Sequence, residues 1–310
     1  MKAIILAGGF ATRLWPLTEN VAKPLLIVGD KPLISHIVDE IPEMPIIIST
    51  NEVFAEDFRT WHKQYHPARD ITVLVEPTSR DKQLGALGAI AYAIAQFGED
   101  EYLISAGDNI YSFPIREFLD SYKGNLLVAA YDIGDLEKAK KFGVIKMDEE
   151  SGRATEFLEK PANPTSTLVS TALYVIPKTA LVFLAEVAQK TPENMGSLLE
   201  SAIGQGIVVD VFRFSGAWFD IGNFDTYIEV HKKFGKANTQ LAGNQLEGAF
   251  YIDPTATVTD STIVNSIVLG GSKLHHVHLN RVIVGQGCVL ENIDLEYKTV
   301  RDNTRLIGDL

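Results

Sequence analysis

Near the start of the chain, Gly8-Gly9, Thr12, Arg13 and Lys23 have types and spacing that could hold a polyphosphate. Two glycines leave their backbone N–H groups uncovered by any Cβ, so an anion can approach closely. Thr12 adds a hydroxyl, and Arg13 adds a planar guanidinium whose fork matches two phosphate oxygens. Lys23, beside Pro24, offers a second cation for a reacting phosphate. The element that must position this set is the apolar run Ala3-Ile4-Ile5-Leu6-Ala7, which reads as a buried parallel strand ending at the glycines. Leu6, Ala7, Gly8, Gly9, Ala11, Thr12 and Arg13 therefore form the expected triphosphate-binding stretch. This loop has neither the Gly-x-Gly-x-x-Gly of dinucleotide sites nor the Gly-x-x-x-x-Gly-Lys-Ser/Thr of Walker loops.

Two later stretches carry further candidates. Ser105-Ala106-Gly107-Asp108-Asn109 puts a carboxylate just past a strand end, where Asp108 either holds Mg²⁺ or closes an Asx turn. Leu84-Gly85-Ala86-Leu87-Gly88 opens a helix with small residues, which either let a flat base reach the backbone or serve tight helix packing. Gln83 and Glu76 are both candidates to read the base edge.

From the N-terminus to about residue 130, apolar runs alternate with helical patterns, the mark of a doubly wound α/β sheet. Strands are expected at 2–7, 45–50, 71–76, 101–106 and 126–131, with helices near 31–41, 53–64, 84–97 and 114–122. Ligands in such sheets sit at the carboxyl ends of strands, so loops 8–18, 76–88 and 107–112 should converge. Strand-like pieces at 142–147, 153–160 and 168–176 then follow one another and read as an inserted sheet. Helices near 177–190 and 196–204, a strand at 207–214 and a helix at 224–234 complete a domain over 1–235. Residues 236–248 are polar, contain glycine and read as a linker. From 249 to 310, apolar residues recur about every five to six positions, which predicts a small parallel β-helix of about three coils. His275-His276-x-His278 lies in this tail; without carboxylates or thiols nearby in sequence it is a weak ligand set, read as a turn.

LAGGFATRLWPLT followed by AKPLL resembles the signature of the sugar-1-phosphate nucleotidylyltransferases, with Ala11 where that family has glycine. If position 11 needs a positive φ, alanine costs on the order of 1 kcal/mol. The resemblance covers about residues 1–235. It implies a mixed, Rossmann-like sheet and transfer of a nucleotidyl group from a nucleoside triphosphate to a sugar-1-phosphate, with pyrophosphate leaving. Gly85-Ala86 is similar to the family's base-contacting LGTxGA stretch, with Ala86 in place of threonine. Gly107-Asp108-Asn109 implies a metal role for Asp108 and a sugar-hydroxyl contact for Asn109. Phe142-Gly143-Val144 implies that Gly143 contacts the sugar. Glu159-Lys160-Pro161 implies that Glu159 binds sugar hydroxyls and Lys160 the sugar phosphate. Leu168–Tyr174 resembles the sugar-binding strand, with Tyr174 its aromatic and Ala172 in place of glycine. Trp218-Phe219-Asp220-Ile221-Gly222 implies Asp220 as the second Mg²⁺ ligand. Arg13, Lys23 and Lys160 are then the catalytic cations, and no general base is needed because the attacking phosphate is already ionised. Chain length and the short tail look most like glucose-1-phosphate thymidylyl- or uridylyltransferases, with mannose-1-phosphate guanylyltransferase as rival, partly through Glu76-Pro77-x-x-Arg80. A non-catalytic sensor of nucleotide sugars and an acyltransferase tail are the readings from other classes.

The formal net charge of -12 argues against a general nucleic-acid surface. Locally the balance reverses, since Lys2, Arg13, Lys23 and Lys31 outnumber Glu19 and Asp30 among residues 1–31. The single cysteine, Cys288, excludes an internal disulfide and fits a reducing cytoplasm. No apolar run is long enough to span a bilayer, and Met1-Lys2 runs directly into the first strand with no secretory leader. A homo-oligomer joined through the tail is the expected assembly.

Overall fold

A computed structural model describes residues 1–77, 83–234 and 243–309. Its contacts divide the chain into two compact units. One comprises Met1–Gly9 with Ile34–Asp220, the other Phe10–Leu33 with Ile221–Leu310. The division therefore does not fall near residue 235: the loop 10–33 and the helix at 224–234 group with the C-terminal segment.

The first unit is built on strands β1 (Lys2–Leu6), β2 (Ile46–Thr50), β3 (Ile71–Val75) and β4 (Tyr102–Ala106), which pair parallel in the order β3-β2-β1-β4. Their near-continuous Val/Ile runs suit strands buried on both faces, and Ile4, Ile5, Ile47, Ile48 and Ile104 are almost inaccessible. The short strand β5 (Asn109–Tyr111) follows β4 at once. Beyond it come β6 (Leu126–Asp132), β7 (Gly143–Asp148), β8 (Arg153–Glu159), β9 (Leu168–Ile176), β10 (Val209–Phe214) and β11 (Trp218–Asp220).

Strands β7, β8 and β9 do not form an inserted sheet. They extend the same nine-stranded sheet, whose order is β3-β2-β1-β4-β9-β6-β10-β8-β7. Strand β9 lies antiparallel between β4 and β6, which makes the sheet mixed. Leu168, Val169 and Leu173–Ile176 along β9 are buried, as its central place requires. Among its helices, α3 (Ala86–Phe97), α6 (Leu181–Lys190) and α7 (Gly196–Gly204) share one core with the sheet through Leu87, Ile90, Leu184 and Leu198. The helices α1 (Leu33–Glu40), α2 (Ala55–Tyr65), α4 (Ile115–Asp120) and α5 (Leu136–Ala139) fall close to or within the connections. No described helix is long and apolar enough to cross a membrane.

In the second unit the helix α8 (Phe224–Phe234) accompanies strands β12 (Gln245–Glu247), β13 (Tyr251–Ile252), β14 (Thr257–Thr259), β15 (Thr262–Val264), β16 (Ile267–Val268), β17 (Lys273–Val284), β18 (Val289–Val300) and β19 (Arg305–Ile307). Part of the expected linker is thus strand: β12 pairs parallel with β15, and Leu246 packs on the apolar core there. Residues 235–242 lie outside the described residues. Pairing is parallel and steps by 16 residues, as in Thr257↔Lys273, Lys273↔Val289 and Val289↔Arg305.

The chain turns at left-handed residues that recur in columns: Gly243, Asp260, His276 and Asn292; Gly248, Asn265, Arg281 and Tyr297; Gly271, Gly287 and Asn303. Glycine, asparagine and aspartate adopt this backbone with least penalty and fill most of these places. Buried serines bind successive steps together. Ser261, Ser266 and Ser272 accept from the N–H groups of Val277, Val282 and Cys288, each 16 residues on.

Candidate active site

In the first unit, Gly8 and Gly9 follow β1 at its carboxyl end, beside the ends of β2, β3 and β4. Asn51, just past β2, donates to the Gly8 carbonyl at 2.9 Å. The Gly107 N–H donates to the Leu6 carbonyl at 2.9 Å, which seats the Asp108 loop against β1. Of the three loops expected to converge, residues 8–9, 76 and 107–109 do so within this unit; Phe10–Thr18 belong to the second. Gly8 and Gly9 differ in what glycine serves. A Cβ on Gly8 would stand 2.8 Å from the Glu76 carboxylate, whereas one on Gly9 would meet open space. Glu76 is buried, accepts from the Ser49 hydroxyl at 2.9 Å, and its carboxyl is pushed up by burial. It braces the Gly8 backbone. Gln83 is exposed, and its neighbours Thr78 to Lys82, with Arg80, lie outside the described residues.

Strand β5 pairs antiparallel with β11 through Trp218↔Tyr111, Phe219↔Ile110 and Asp220↔Asn109. This ribbon brings Asp220 across from Asn109 and so one residue from Asp108, although the two carboxylates are far apart in sequence. The charges of both, behind burial and Tyr174, help to hold the Tyr111 phenol well above its usual value. A side-chain relay orients Asp108: the Trp218 indole N–H donates to Asn109 Oδ1 at 2.6 Å, and Asn109 Nδ2 donates to Asp108 Oδ1 at 2.7 Å. Asn109, expected to contact a sugar hydroxyl, is 3% exposed, and both ends of its amide are engaged in this relay. Two carboxylates, one in the turn before β5 and one ending β11, are the donor type a hard dication such as Mg²⁺ takes, and they fit that group.

At Gly143, expected to contact the sugar, a Cβ would overlap the Phe157 ring. The Tyr174 hydroxyl is buried against Ser170 at 2.9 Å, and burial pushes it up to about 12. Gly85 (φ 74) approaches the backbone of Pro192 and Glu193. The Ala86 and Gly88 N–H groups at the start of α3 donate to the Glu193 and Pro192 carbonyls. Glu159 sits beside Gly196, where a Cβ would lie 2.6 Å from its carboxylate, and its Oε1 is 3.3 Å from Lys160 Nζ. Lys160 remains 64% exposed by side chain and leaves β8 with φ 45. Ala172 also has positive φ (58), at a bulge where the β9–β6 register shifts between Ser170 and Tyr174.

In the second unit, Ala11 (φ 45, ψ 47) starts a single 3-10 turn, Thr12–Leu14. The conditional cost of alanine at this place therefore applies. Its carbonyl accepts from the Leu14 N–H and, at 2.8 Å, from the Thr18 hydroxyl, which pins the left-handed residue. Leu14, Leu17, Thr18 and Ala22 are buried, while Thr12 and Arg13 stand exposed on this base. Lys23 opens a second 3-10 turn, Lys23–Leu25, with Pro24 buried beside it. The chain beyond is fastened by hydroxyls from residues 200 or more positions away: Tyr227 donates to the Ile27 carbonyl and Tyr251 to the Gly29 carbonyl, each at 2.6 Å. A Cβ on Gly29 (φ 67) would lie 2.6 Å from the Phe234 carbonyl, and Glu19 pairs with Arg301 at 2.9 Å. Sequence reasoning missed Asn51, Thr18, Tyr227 and Tyr251; only Asn51, a polar residue at a strand end, carried any signal.

Residues 2–237 match a family profile described as nucleotidyl transferase. The chain is similar to mannose-1-phosphate guanylyltransferase 1 of Arabidopsis thaliana, 26% identical over 93% of this chain and 82% of that protein. It is also similar to glucose-1-phosphate adenylyltransferase of Acetivibrio thermocellus, 25% identical over 98% of this chain and 79% of that one. The fold is shared with a putative glucose-1-phosphate thymidylyltransferase from Bacillus anthracis, solved in complex with a sucrose. That likeness has a TM-score of 0.67 at 24% identity, over 77% of this chain and 96% of the other.

Proposed function

The chain belongs to the nucleotidyl transferase family, and from that premise we propose that it joins a nucleoside triphosphate to a sugar-1-phosphate, releasing pyrophosphate. The observation that carries this reading is the β5–β11 ribbon, which sets Asp108 beside Asp220 and orients Asp108 through Asn109 and Trp218. The sugar phosphate oxygen attacks the α-phosphorus, the bond to the β-phosphate oxygen breaks, and pyrophosphate leaves with that electron pair. Such a transfer depends on positioning and charge neutralisation, so no proton acceptor is assigned. Asp108 and Asp220 would hold a divalent cation, taken to be Mg²⁺, which supplies charge neutralisation to the phosphates when bound. Arg13, Thr12 and the amides of the loop bind the triphosphate and the departing pyrophosphate. Lys23 and Lys160 take the reacting phosphates, and Glu159 takes sugar hydroxyls.

Glucose-1-phosphate with dTTP or UTP is the first combination proposed. The guanylyltransferase relative, similar along nearly all of this chain, supports mannose-1-phosphate with GTP as a second reading. The C-terminal stack, with its 16-residue steps and left-handed corners, supports a small parallel β-helix used for self-assembly. Pyrophosphate release from dTTP, UTP, GTP and ATP, each paired with glucose-, mannose- and N-acetylglucosamine-1-phosphate, tests the proposal. One pair should exceed the others by at least about tenfold; no release with any pair overturns it.

A further inference from the structure

The fold gives the tail histidines the carboxylate that their sequence neighbourhood lacks. Thr259 pairs with His275 across one 16-residue step, so the next residues, Asp260 and His276, occupy equivalent corners of successive steps. Both corners are left-handed, Asp260 at φ 50 and His276 at φ 49. An extended strand would send adjacent side chains to opposite faces, but the corner cancels that alternation. The rings of His275 and His276 lie together, centroids 4.1 Å apart and 31° from coplanar. Asp260 Oδ2 is 3.8 Å from His275 Nδ1 and 4.0 Å from His276 Nε2, and one ligand atom from each residue lies within 4.8 Å of the others. The Thr259 hydroxyl, 2.8 Å from His275 Nδ1, adds a fourth oxygen or nitrogen-bearing group, and Glu291 faces His275 by register on the following step.

We propose that Asp260, His275 and His276 form a surface site for a transition-metal dication of the Zn²⁺ class, separate from the carboxylate pair at Asp108 and Asp220. Two imidazoles with one carboxylate suit Zn²⁺, Co²⁺ or Ni²⁺, whereas Mg²⁺ and Ca²⁺ prefer oxygen alone. Bonds of about 2.0–2.2 Å would draw the donors to about 3.3 Å apart, a closure of an ångström or so that exposed side chains make by small rotations. Because its ligands come from two successive steps, a bound ion would also bridge them and raise the stability of the stack.

Calorimetric titration of the full chain with Zn²⁺, in excess Mg²⁺, tests this. One ion should bind per chain and raise Tm. His275→Ala and Asp260→Asn should each weaken binding about tenfold or more. His276→Asn, which keeps a side chain tolerant of the left-handed backbone, should do the same, while His278→Ala should bind as the parent does. No binding by the parent, or equal binding by the three ligand variants, overturns the site. Asp108→Asn should leave this Zn²⁺ binding unchanged; its loss there would place the ion at the catalytic carboxylates instead.

Discussion

The Asp108–Asp220 pair and the Ala11–Arg13 turn, both assigned to phosphate chemistry in the proposed function, are held by opposite means. Asp220 ends the short strand β11, and Asp108 lies in the turn before β5, where side chains aim it from Trp218 through Asn109. The turn is held through its backbone, with the Ala11 carbonyl pinned by Thr18 while Thr12 and Arg13 project freely from it. The difference teaches where a substitution should be felt. A change in the first arrangement should appear in turnover with the fold intact, and a change in the second should appear first in stability and substrate binding.

The largest effect should come from removing a carboxylate charge. Asp108→Asn and Asp220→Asn should each lower kcat by on the order of 10²–10³ or more with little change in Tm, measured by pyrophosphate release and thermal melting. Next, Trp218→Phe keeps an aromatic ring beside Phe142 and Tyr131 but loses the donor to Asn109. It should lower kcat about tenfold and leave KM for the triphosphate nearly alone. If KM moves instead, the relay does not aim Asp108.

Thr18→Val tests the other arrangement. It removes the hydroxyl that pins Ala11 and should cost about 1 kcal/mol in urea denaturation while raising KM for the triphosphate. Ala11→Gly should act in the reverse direction, gaining up to about 1 kcal/mol by relieving the left-handed alanine. A higher turnover as well would show that the alanine loosens the turn.

The smallest effect concerns pH. Glu76 is raised above the ordinary glutamate value of 4.5, chiefly by burial, with the Ser49 hydroxyl opposing. A raised folded value means that Glu76 contributes stability below pH 4.5 and loses it as pH climbs through the folded value. Glu76→Gln, which keeps an acceptor for Ser49, should therefore gain on the parent at about pH 7 and not at about pH 4. Denaturant midpoints at the two pH values check the sign.

The parallel strands were legible because Ile4-Ile5, Ile46-Ile47-Ile48 and Leu103-Ile104 are apolar runs of strand length between helical patterns. The β5–β11 ribbon was not, since three residues on each side are too few to show alternation. The Asp108–Asp220 pair was legible only through its motif. At Gly85 and Gly143 a side chain would meet Pro192 and Phe157, a packing demand the sequence did not show. Alanine carries no sign of a left-handed backbone, so the Ala172 bulge was hidden and Ala11 could be read only conditionally. In the tail, recurrence every five to six residues was visible, but the 16-residue register that sets Asp260 beside His276 was not.

That register makes the tail digital in length. Its first step is one residue longer than the rest, Gln245 facing Thr262 where Tyr251 already faces Ile267, so the surplus is absorbed between Glu247 and Tyr251. An insertion of one residue elsewhere would carry every later corner out of its column, placing a bulky side chain where glycine or asparagine now turns. Growth or loss by a whole rung changes no column at all. Evolution or design can therefore lengthen this segment in units of one rung, with the Gly29 carbonyl that Tyr251 holds unaware of the change.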